Sequence, residues 1–424
     1  MGDTLRAESA DPEAVSPHSA TQRVLRRVAA AFVYRDFRIL WFGSFTSSVG
    51  TWMQNVAQNW LILSLTGSAF FLGLDAFLQQ LPVMLFTLIG GVLADRRDRR
   101  LTLMASQYVQ MASALTLALL VFLGVIRIWE VLTLSFVTGL AQSFGGPANQ
   151  ALLPSLVEKR DLPNAVALNS IQFNLARVIG PLLAGVALAA FGMVSCFTLN
   201  GLSFVVVIVA LMSLHVKHIP PTAPQRMLDG LRGGFSYVRH QPGVTALIII
   251  AAATTFLGFP LMTFLPIFAQ EVFHQGVSGY SVMMAFSGAG SVCGALLVAW
   301  LGQYKRMGLT AMIVQVIFGG LLVAFAASRS IYLSYLILFC TGAGMMIVFS
   351  TVTSLVQILA PNEVRGRVMS IYLVAFRGGM PLGSLAAGYF ASVSSASLVL
   401  GVNGVLLICV AAYFLTRDHG IKAL

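Results

Sequence analysis

Charge is what this chain has least of. Only 10% of its 424 residues are charged and 57% are hydrophobic, whereas a soluble domain carries about 25% charged residues. That shortage argues against a water-soluble fold, because so large an apolar mass has too little polar surface to cover it. Acidic residues are scarcer than basic ones, 15 against 26, and the net charge is +11. The four cysteines, Cys196, Cys293, Cys340 and Cys409, all fall inside apolar stretches. Their spacing suits neither a metal site nor a disulfide framework, so they read as small packing residues. There is no P-loop pattern and no metal-ligand cluster, which disfavours ATP-driven pumping. No nucleophile–base pair stands out, so the chain does not read as an enzyme, and nothing calls for a cofactor or a metal.

A succession of long apolar runs fills the chain instead, at about 38–63, 69–94, 101–124, 131–152, 165–190, 192–214, 244–270, 279–302, 308–327, 331–357, 367–391 and 396–416. A helix needs about 20 mostly apolar residues to cross a bilayer, so these runs predict twelve transmembrane helices. The runs do not alternate with polar residues, which argues against a barrel. The expected fold class is an all-α membrane protein with twelve transmembrane helices in two pseudo-symmetric six-helix bundles. Its parts are an N-terminal tail (1–36, disordered over its polar first 22 residues), a first bundle (37–214), a linker (215–243), a second bundle (244–416) and a short tail (417–424). No cleavable signal peptide is visible, and the first apolar helix follows a basic flank that suits an anchor. In the linker, Leu228, Leu231, Phe235 and Val238 recur at near-helical spacing after Pro220 and Pro221. They predict a short amphipathic helix on the membrane face.

The basic residues give the expected orientation. With both termini in the cytoplasm, the cytoplasmic segments collect all but four of the 26 lysines and arginines. Arg127 and Arg329 are left to the opposite loops, and Arg177 and Arg377 lie inside helices. So uneven a split follows the positive-inside rule and places the protein in the cell's inner membrane with an even number of spans. It also explains the basic charge through contact with anionic lipid, without nucleic acid as a partner.

Two sequence features carry more information. The first is GVLADRRDRR, Gly91 to Arg100, a tight basic turn between the second and third runs. The second is an internal echo: NSIQFNLARVIGP in the fifth run and MSIYLVAFRGGMP in the eleventh. At an offset of two hundred positions, Ser170, Ile171, Arg177 and Pro181 meet Ser370, Ile371, Arg377 and Pro381. The basic turn resembles the signature between the second and third helices of the major facilitator superfamily of secondary transporters. The stretches TWMQNVAQNWLILSLTGSAFFLGL, PANQALLPSLVEKRDLPNAVALNS, LARVIGPLLAG, FLPIFAQEVF and VRGRVMSIY are similar to its transmembrane secretion effector branch. That branch includes the enterobactin exporter and drug-efflux proteins of bacteria. Parallel six-helix repeats with the solute path between them are how this superfamily is built.

The resemblance implies a gating latch. Gly91 would allow close helix approach, and Asp95 would contact the start of the eleventh helix and neighbouring arginines. Arg96, Arg99, Arg100, Glu363, Arg365 and Arg367 are its candidate partners. The signature's usual late glycine is Asp98 here. Basic residues that only set topology are the plainer alternative. Ala176, Gly180, Pro181, Ala184 and Gly185 resemble a degenerate antiporter motif, which packing alone also explains.

The residues themselves suggest where solute and protons pass. Thr51, Asn55 and Asn59, with Gln54 and Gln58 beside them, form a polar stripe on the first helix. Arg177 and Arg377 should lie near mid-membrane, since each is ten to twelve residues into its helix at about 1.5 Å per residue. A charge there is costly unless paired or hydrated. They either line the path, binding an anionic group or pairing with an acid, or bond helix carbonyls freed near the prolines. Asp75, at nearly the depth of Gln58, is the first candidate for proton coupling, because a carboxyl group in low-dielectric surroundings can gain and lose a proton in a cycle. Glu271 is a second, and Glu130 looks interfacial. The expected function is export of a small amphipathic solute, drug-like or a siderophore, by proton antiport and alternating access. The expected partners are the solute, protons and the lipid bilayer, with the protein a monomer. Uniport or import of a small metabolite, and a non-transporting sensor, are the alternatives.

Overall fold

The computed structural model describes residues 30–215, 235, 237–302 and 305–417, and only the backbone at 88, 92 and 94–96. Long helices joined by short turns make up nearly all of it: α1 (Arg35–Thr66), α2 (Ala69–Arg96), α3 (Arg99–Phe122), α4 (Ile128–Leu152), α5 (Leu162–Phe191) and α6 (Met193–Met212). After the linker come α7 (Pro242–Val272), α8 (Val277–Leu301), α9 (Met307–Ala327), α10 (Ile331–Leu359), α11 (Arg365–Val393) and α12 (Ala396–Thr416). α7 is segmented, with Pro242–Gly258 followed by Pro260–Ile267 and a π-turn at Phe268–Val272. Pro260 and Pro266 cause this, since each removes a helix N–H donor and crowds the preceding turn. The turn between α1 and α2 is equally local. Gly67, at φ 57°, adopts the left-handed conformation that closes α1, and its N–H bonds the Leu63 carbonyl.

Among the described residues, ten helices are long and apolar enough to cross a membrane. The sequence runs predict twelve; the two outside these ten, α1 and α4, of 32 and 25 residues, are as long as their neighbours. Both are diluted by polar residues that turn inward, including Gln54, Gln58 and Ser135. Most of the predicted linker helix, Pro220, Pro221, Leu228 and Leu231 included, lies outside the described residues. Phe235 is helical and exposed, and Val238 is buried beneath α7 and α10.

The packing repeats itself. α1 packs on α5 and α6, α2 on α4, and α3 on α4 and α6. α7 packs on α11 and α12, α8 on α10, and α9 on α10 and α12, which is the first set with every helix number raised by six. Between the two sets, the extensive contacts are α2 with α11 and α5 with α8. Small residues make these close approaches possible where lipid offers no hydrophobic drive for helix association. Gly294, for example, lies against the Ala343 backbone across α8 and α10.

The distribution of the core defines the shape. One end of the molecule carries the basic residues around the turns, Arg97, Arg99, Arg100, Lys159, Arg160, Lys305, Arg306, Arg365 and Arg367, and the other carries the α1–α2 and α7–α8 turns. At the second, distal end a single apolar cluster draws on both sets, from Met53, Leu61 and Leu72 to Phe264, Tyr280 and Ala387. At the basic end there are two separate clusters. One, with Phe37, Leu103, Leu168 and Phe204, belongs wholly to α1–α6, and the other, with Leu247, Met312, Val352 and Tyr372, wholly to the second half. The halves are therefore joined at the distal end and separated at the basic end.

Candidate functional site

Inside the first half, a chain of polar side chains converges on Asp75, which is 3% exposed. Gln58 Nε2 donates to Asp75 Oδ1 at 3.1 Å and Oδ2 at 3.0 Å, and the Ser135 hydroxyl of α4 donates to Oδ1 at 2.5 Å. Gln54 Nε2 in turn donates to Gln58 Oε1 at 3.3 Å, and Asn200 Nδ2 of α6 donates to Gln54 Oε1 at 2.6 Å. Every amide in the row thus points its donor toward the carboxyl group. Gly50 lets α6 come near enough to close the row, since a Cβ there would sit 2.7 Å from Asn200 Oδ1 and 3.1 Å from its Cα. No cation bonds Asp75 among the described residues, so neutral donors alone satisfy it.

The predicted polar stripe of α1 divides into two faces. Gln54 and Gln58 are buried within the first half and do not line an opening, and Thr51 on the same face bonds the Ser47 carbonyl at 2.9 Å. Their tertiary partners on α2, α4 and α6 draw them inward. Asn55 and Asn59 lie on the adjoining face with Ser48 and Trp52, at spacings of three and four residues. Asn59 Nδ2 donates to the Tyr280 hydroxyl of α8 at 3.0 Å, and the Trp60 and Tyr280 rings stack at 6.4 Å, a bond and a contact across the halves.

Where the halves part, the two arginines stand. On α11, Ser384 and Gly388 pack against Gly73 of α2, and Gly378 reaches Met84. Arg377 shares a helix stripe with Pro381, Ser384 and Gly388, at i+4, i+7 and i+11. Toward the basic end this stripe is bare: Arg377 and Leu373 are exposed, and Gly366 has nothing beside it. On α5, Gly185 packs against Ser281 of α8, and Gly288 of α8 packs against the Arg177 carbonyl. The Arg177 stripe is buried at Pro181 and Ala184 and exposed at Phe173, Ser170 and Val166. Each arginine thus stands at the edge of the joined region, the Arg177 backbone against Gly288 and Arg377 next to Gly378. Arg177 is half-buried, its guanidinium 5.7 Å from the Trp52 ring, and Arg377 is exposed. The separation of the halves, a tertiary property, is the reason. Of the two alternatives for these side chains, bonds to proline-freed carbonyls do not form, since neither guanidinium makes a hydrogen bond or ion pair among the described residues.

At the basic end the side chains of Asp95 and Arg96 lie outside the described residues. Their proposed partners Glu363, Arg365 and Arg367 are exposed, and Gly91 borders open space. Two other arginines of the turn serve the first half. Arg99 donates to the Ala151 carbonyl at 3.0 Å; Arg100 donates to the Leu214 and Met212 carbonyls at 3.1 and 2.7 Å. These cations sit on the C-terminal carbonyls of α4 and α6, where the helix dipole favours them. Asp98 replaces the signature's glycine with an N-cap, accepting from the Arg100 and Leu101 N–H groups at 2.8 and 3.2 Å. Nearby, the Tyr34 hydroxyl donates to Asp161 Oδ2 at 2.7 Å, and that bond holds the phenol's pKa above its ordinary value.

Glu271 is exposed at the distal end, beside a cavity of about 190 Å³ lined by Ser68, Ser392, Ser394 and Ser395. Glu130 accepts from the Arg127 N–H at 2.9 Å and so caps α4. In the small-residue motif, Ala176 and Ala184 are fully buried, and Gly180 packs against Trp52 and the Val49 carbonyl of α1. Sequence reasoning missed Ser135, Asn200, Trp52 and Tyr280. Asn200 had a signal, an amide inside an otherwise apolar run; a lone serine or aromatic ring gives none.

Comparison with known proteins agrees with this architecture. The family model for the transmembrane secretion effectors matches residues 28–419. The staphyloferrin A transporter of Staphylococcus aureus is 26% identical over 89% of this chain and 96% of its own. The macrolide efflux protein A of Streptococcus pyogenes is 23% identical over 88% and 94%, and the enterobactin exporter EntS of Citrobacter koseri 23% over 88% and 89%. Among solved structures, a bacterial homolog of the human lysosomal transporter Spinster, inward-facing and unoccupied, superposes with a TM-score of 0.73 at 13% identity, covering 91% of this chain and 97% of that one. The peptide transporter POT in complex with sulfate gives 0.74 at 13%, over 92% and 95%. Family and structural neighbours alike are membrane transporters and not enzymes, and this multi-pass chain belongs to the transmembrane secretion effector family of the major facilitator superfamily.

Proposed function

We propose that this protein exports a small amphipathic solute from the bacterial cytoplasm by proton antiport and alternating access. The observation that carries the reading is the single distal cluster set against two separate clusters at the basic end. A path between two halves, sealed at one end and open at the other, is what one stage of alternating access requires. With α1 and α4 counted by length and by their packing between apolar helices, twelve helices cross the inner membrane. They form two bundles, 37–214 and 244–416, joined by the linker 215–243. The basic end faces the cytoplasm by the positive-inside rule, so both termini are cytoplasmic and the solute enters from within. The macrolide efflux protein and the enterobactin exporter among the relatives support the outward direction. The protein works as a monomer, because the path lies within one chain.

Asp75 is the coupling acid in this reading. Ionised, it accepts from Gln58 and Ser135; neutral, it must itself donate, which obliges at least one of those partners to turn. Protonation therefore alters contacts that run from α2 through α1 to α6 and α4. Asp95, with Glu363, Arg365 and Arg367, closes the basic end when the halves rock together there.

The test is proton movement in acid-loaded inverted vesicles presented with siderophores, dyes and antibiotics one at a time. Alkalinisation of the lumen that depends on both solute and protein is the expected result. Solute accumulation that is unaffected by collapsing the pH gradient would overturn proton antiport.

A further inference from the structure

Of the two side chains that hold Asp75, only Ser135 has somewhere else to put its proton. Its hydroxyl stands 2.5 Å from Asp75 Oδ1 and 3.0 Å from the carbonyl of Val131, one turn earlier on α4. A helical serine can bond the carbonyl four residues back, so one rotation of the hydroxyl moves its proton from the carboxyl group to the backbone. The Ser135 oxygen also accepts from Gln58 Nε2 at 2.8 Å. Gln58 has no second choice of this kind. Its Oε1 already accepts from Gln54 Nε2, and Gln54 Oε1 accepts from Asn200 Nδ2. Turning the Gln58 amide would set donor against donor unless Gln54 and Asn200 turned as well. Among the described residues, no ionisable group of α3, α7 or α11, the other helices packed on α2, bonds Asp75.

We propose that Ser135 is the positioning residue for the coupling proton: the proton taken up by Asp75 sits on Oδ1 and is donated to Ser135 Oγ, whose own proton turns to the Val131 carbonyl. This rests on the reading of Asp75 as the coupling acid. Donors and acceptors balance in both states. With Asp75 ionised, Ser135 donates to Oδ1 and accepts from Gln58. With Asp75 neutral, Ser135 Oγ accepts from Oδ1 and from Gln58, which fills both of its lone pairs, and donates to Val131. The two Gln58 protons then go to Oδ2 and to Ser135 Oγ. Ser135 keeps its proton, no amide turns, and no buried donor is left without an acceptor. Oδ2 cannot hold the proton in this way, because only Gln58 Nε2, itself a donor, faces it. What changes is strength. A charged acceptor holds its donors about twice as firmly as a neutral one, so protonation loosens Gln58, and α1 with it, while the row keeps its direction.

The experiment is infrared difference spectroscopy of the full-length protein in lipid, between high and low pH. A carboxyl C=O band that appears on acidification and is missing from Asp75→Asn belongs to Asp75. A carboxyl group that donates a hydrogen bond absorbs at lower wavenumber than one that does not. In Ser135→Ala the band is expected to move to higher wavenumber, because the Asp75 proton has lost its acceptor. Ser135→Thr should restore its position, since threonine supplies the same hydroxyl and can bond the same carbonyl. A band that stays in place in Ser135→Ala overturns the proposal. So does one that moves equally in Ser135→Thr, because disturbed packing would then account for it. Failure of the coupling acid itself looks different. If acidification gives no band that Asp75→Asn removes, Asp75 takes up no proton and both readings fall. A band insensitive to Ser135→Ala, beside gradient-driven transport that Asp75→Asn abolishes, sinks only the role of Ser135 and leaves the coupling acid standing.

Discussion

Replacing Gly388 with valine tests whether the distal closure is as tight as its geometry implies. A Cβ at this position of α11 would lie 2.9 Å from the Ala69 carbonyl oxygen and 3.0 Å from the Gly73 Cα of α2. Both neighbours are backbone, so no side chain can swing aside, and the helices must separate by about half an ångström for the Cβ alone to regain ordinary contact. The two methyl groups of valine need more. Overpacking of this kind costs about 1–3 kcal/mol. All of that cost falls on the distally closed arrangement, so the ratio of closed to open should drop by about 5- to 150-fold. Spin labels at Arg127 and Arg329, one in each half at the distal end, would report it as a longer or broadened distance distribution in nanodiscs. Gly320→Val is the control, because a Cβ at Gly320 meets nothing within 4 Å and the same β-branched residue enters the same kind of helix. If Gly388→Val leaves the distances as Gly320→Val does, the halves are not held by this contact and the closure argument fails.

Asp75→Asn should abolish solute accumulation driven by a pH gradient while leaving binding intact. The new amide would set a donor against Gln58 Nε2, at a cost of about 1–3 kcal/mol in stability. Transport that remains fully gradient-driven would exclude Asp75 as the coupling acid. Arg100→Ala leaves the Met212 and Leu214 carbonyls without their donor, so the melting temperature should fall with little loss of transport; an unchanged melting temperature would show that those bonds contribute nothing. Asp98→Ala should cost about 1 kcal/mol, and Asp98→Gly only a few tenths, because glycine is itself an acceptable N-cap. Equal losses in thermal unfolding would show that the cap bonds are not what the aspartate supplies.

How much of this was legible beforehand differed by level. Helix limits could be read to within about three residues, because an apolar run ends where a turn residue such as Gly67 or a charge such as Asp98 interrupts it. The closeness of Asp75 to Gln58 could be read too, since both are counted from the same short turn between adjacent helices. Which way each α1 amide faces could not. Gln54 and Asn55 are neighbours in sequence, and only the surrounding helices decide that one is enclosed and the other is not. The exposure of Arg377 was hidden for a similar reason: depth along a helix is local arithmetic, but the parting of two halves is not. Arg99 and Arg100 were legible as charge and not as caps, because the carbonyls they serve lie on α4 and α6, far away in sequence.

One helix therefore works as a shaft with two fittings. Gln58 and Asn59 are successive residues on α1, about 100° apart around its axis. The first grips Asp75 in its own half and the second grips Tyr280 in the other. Neither grip can shift by rotation of α1 without turning the other, and Trp52, seven residues below Asn59 on the same face, carries Arg177 with it. If Asp75 is the coupling acid proposed above, a change of its protonation is geared to the seam between the halves by the geometry of this shaft, with no relay of charge between them.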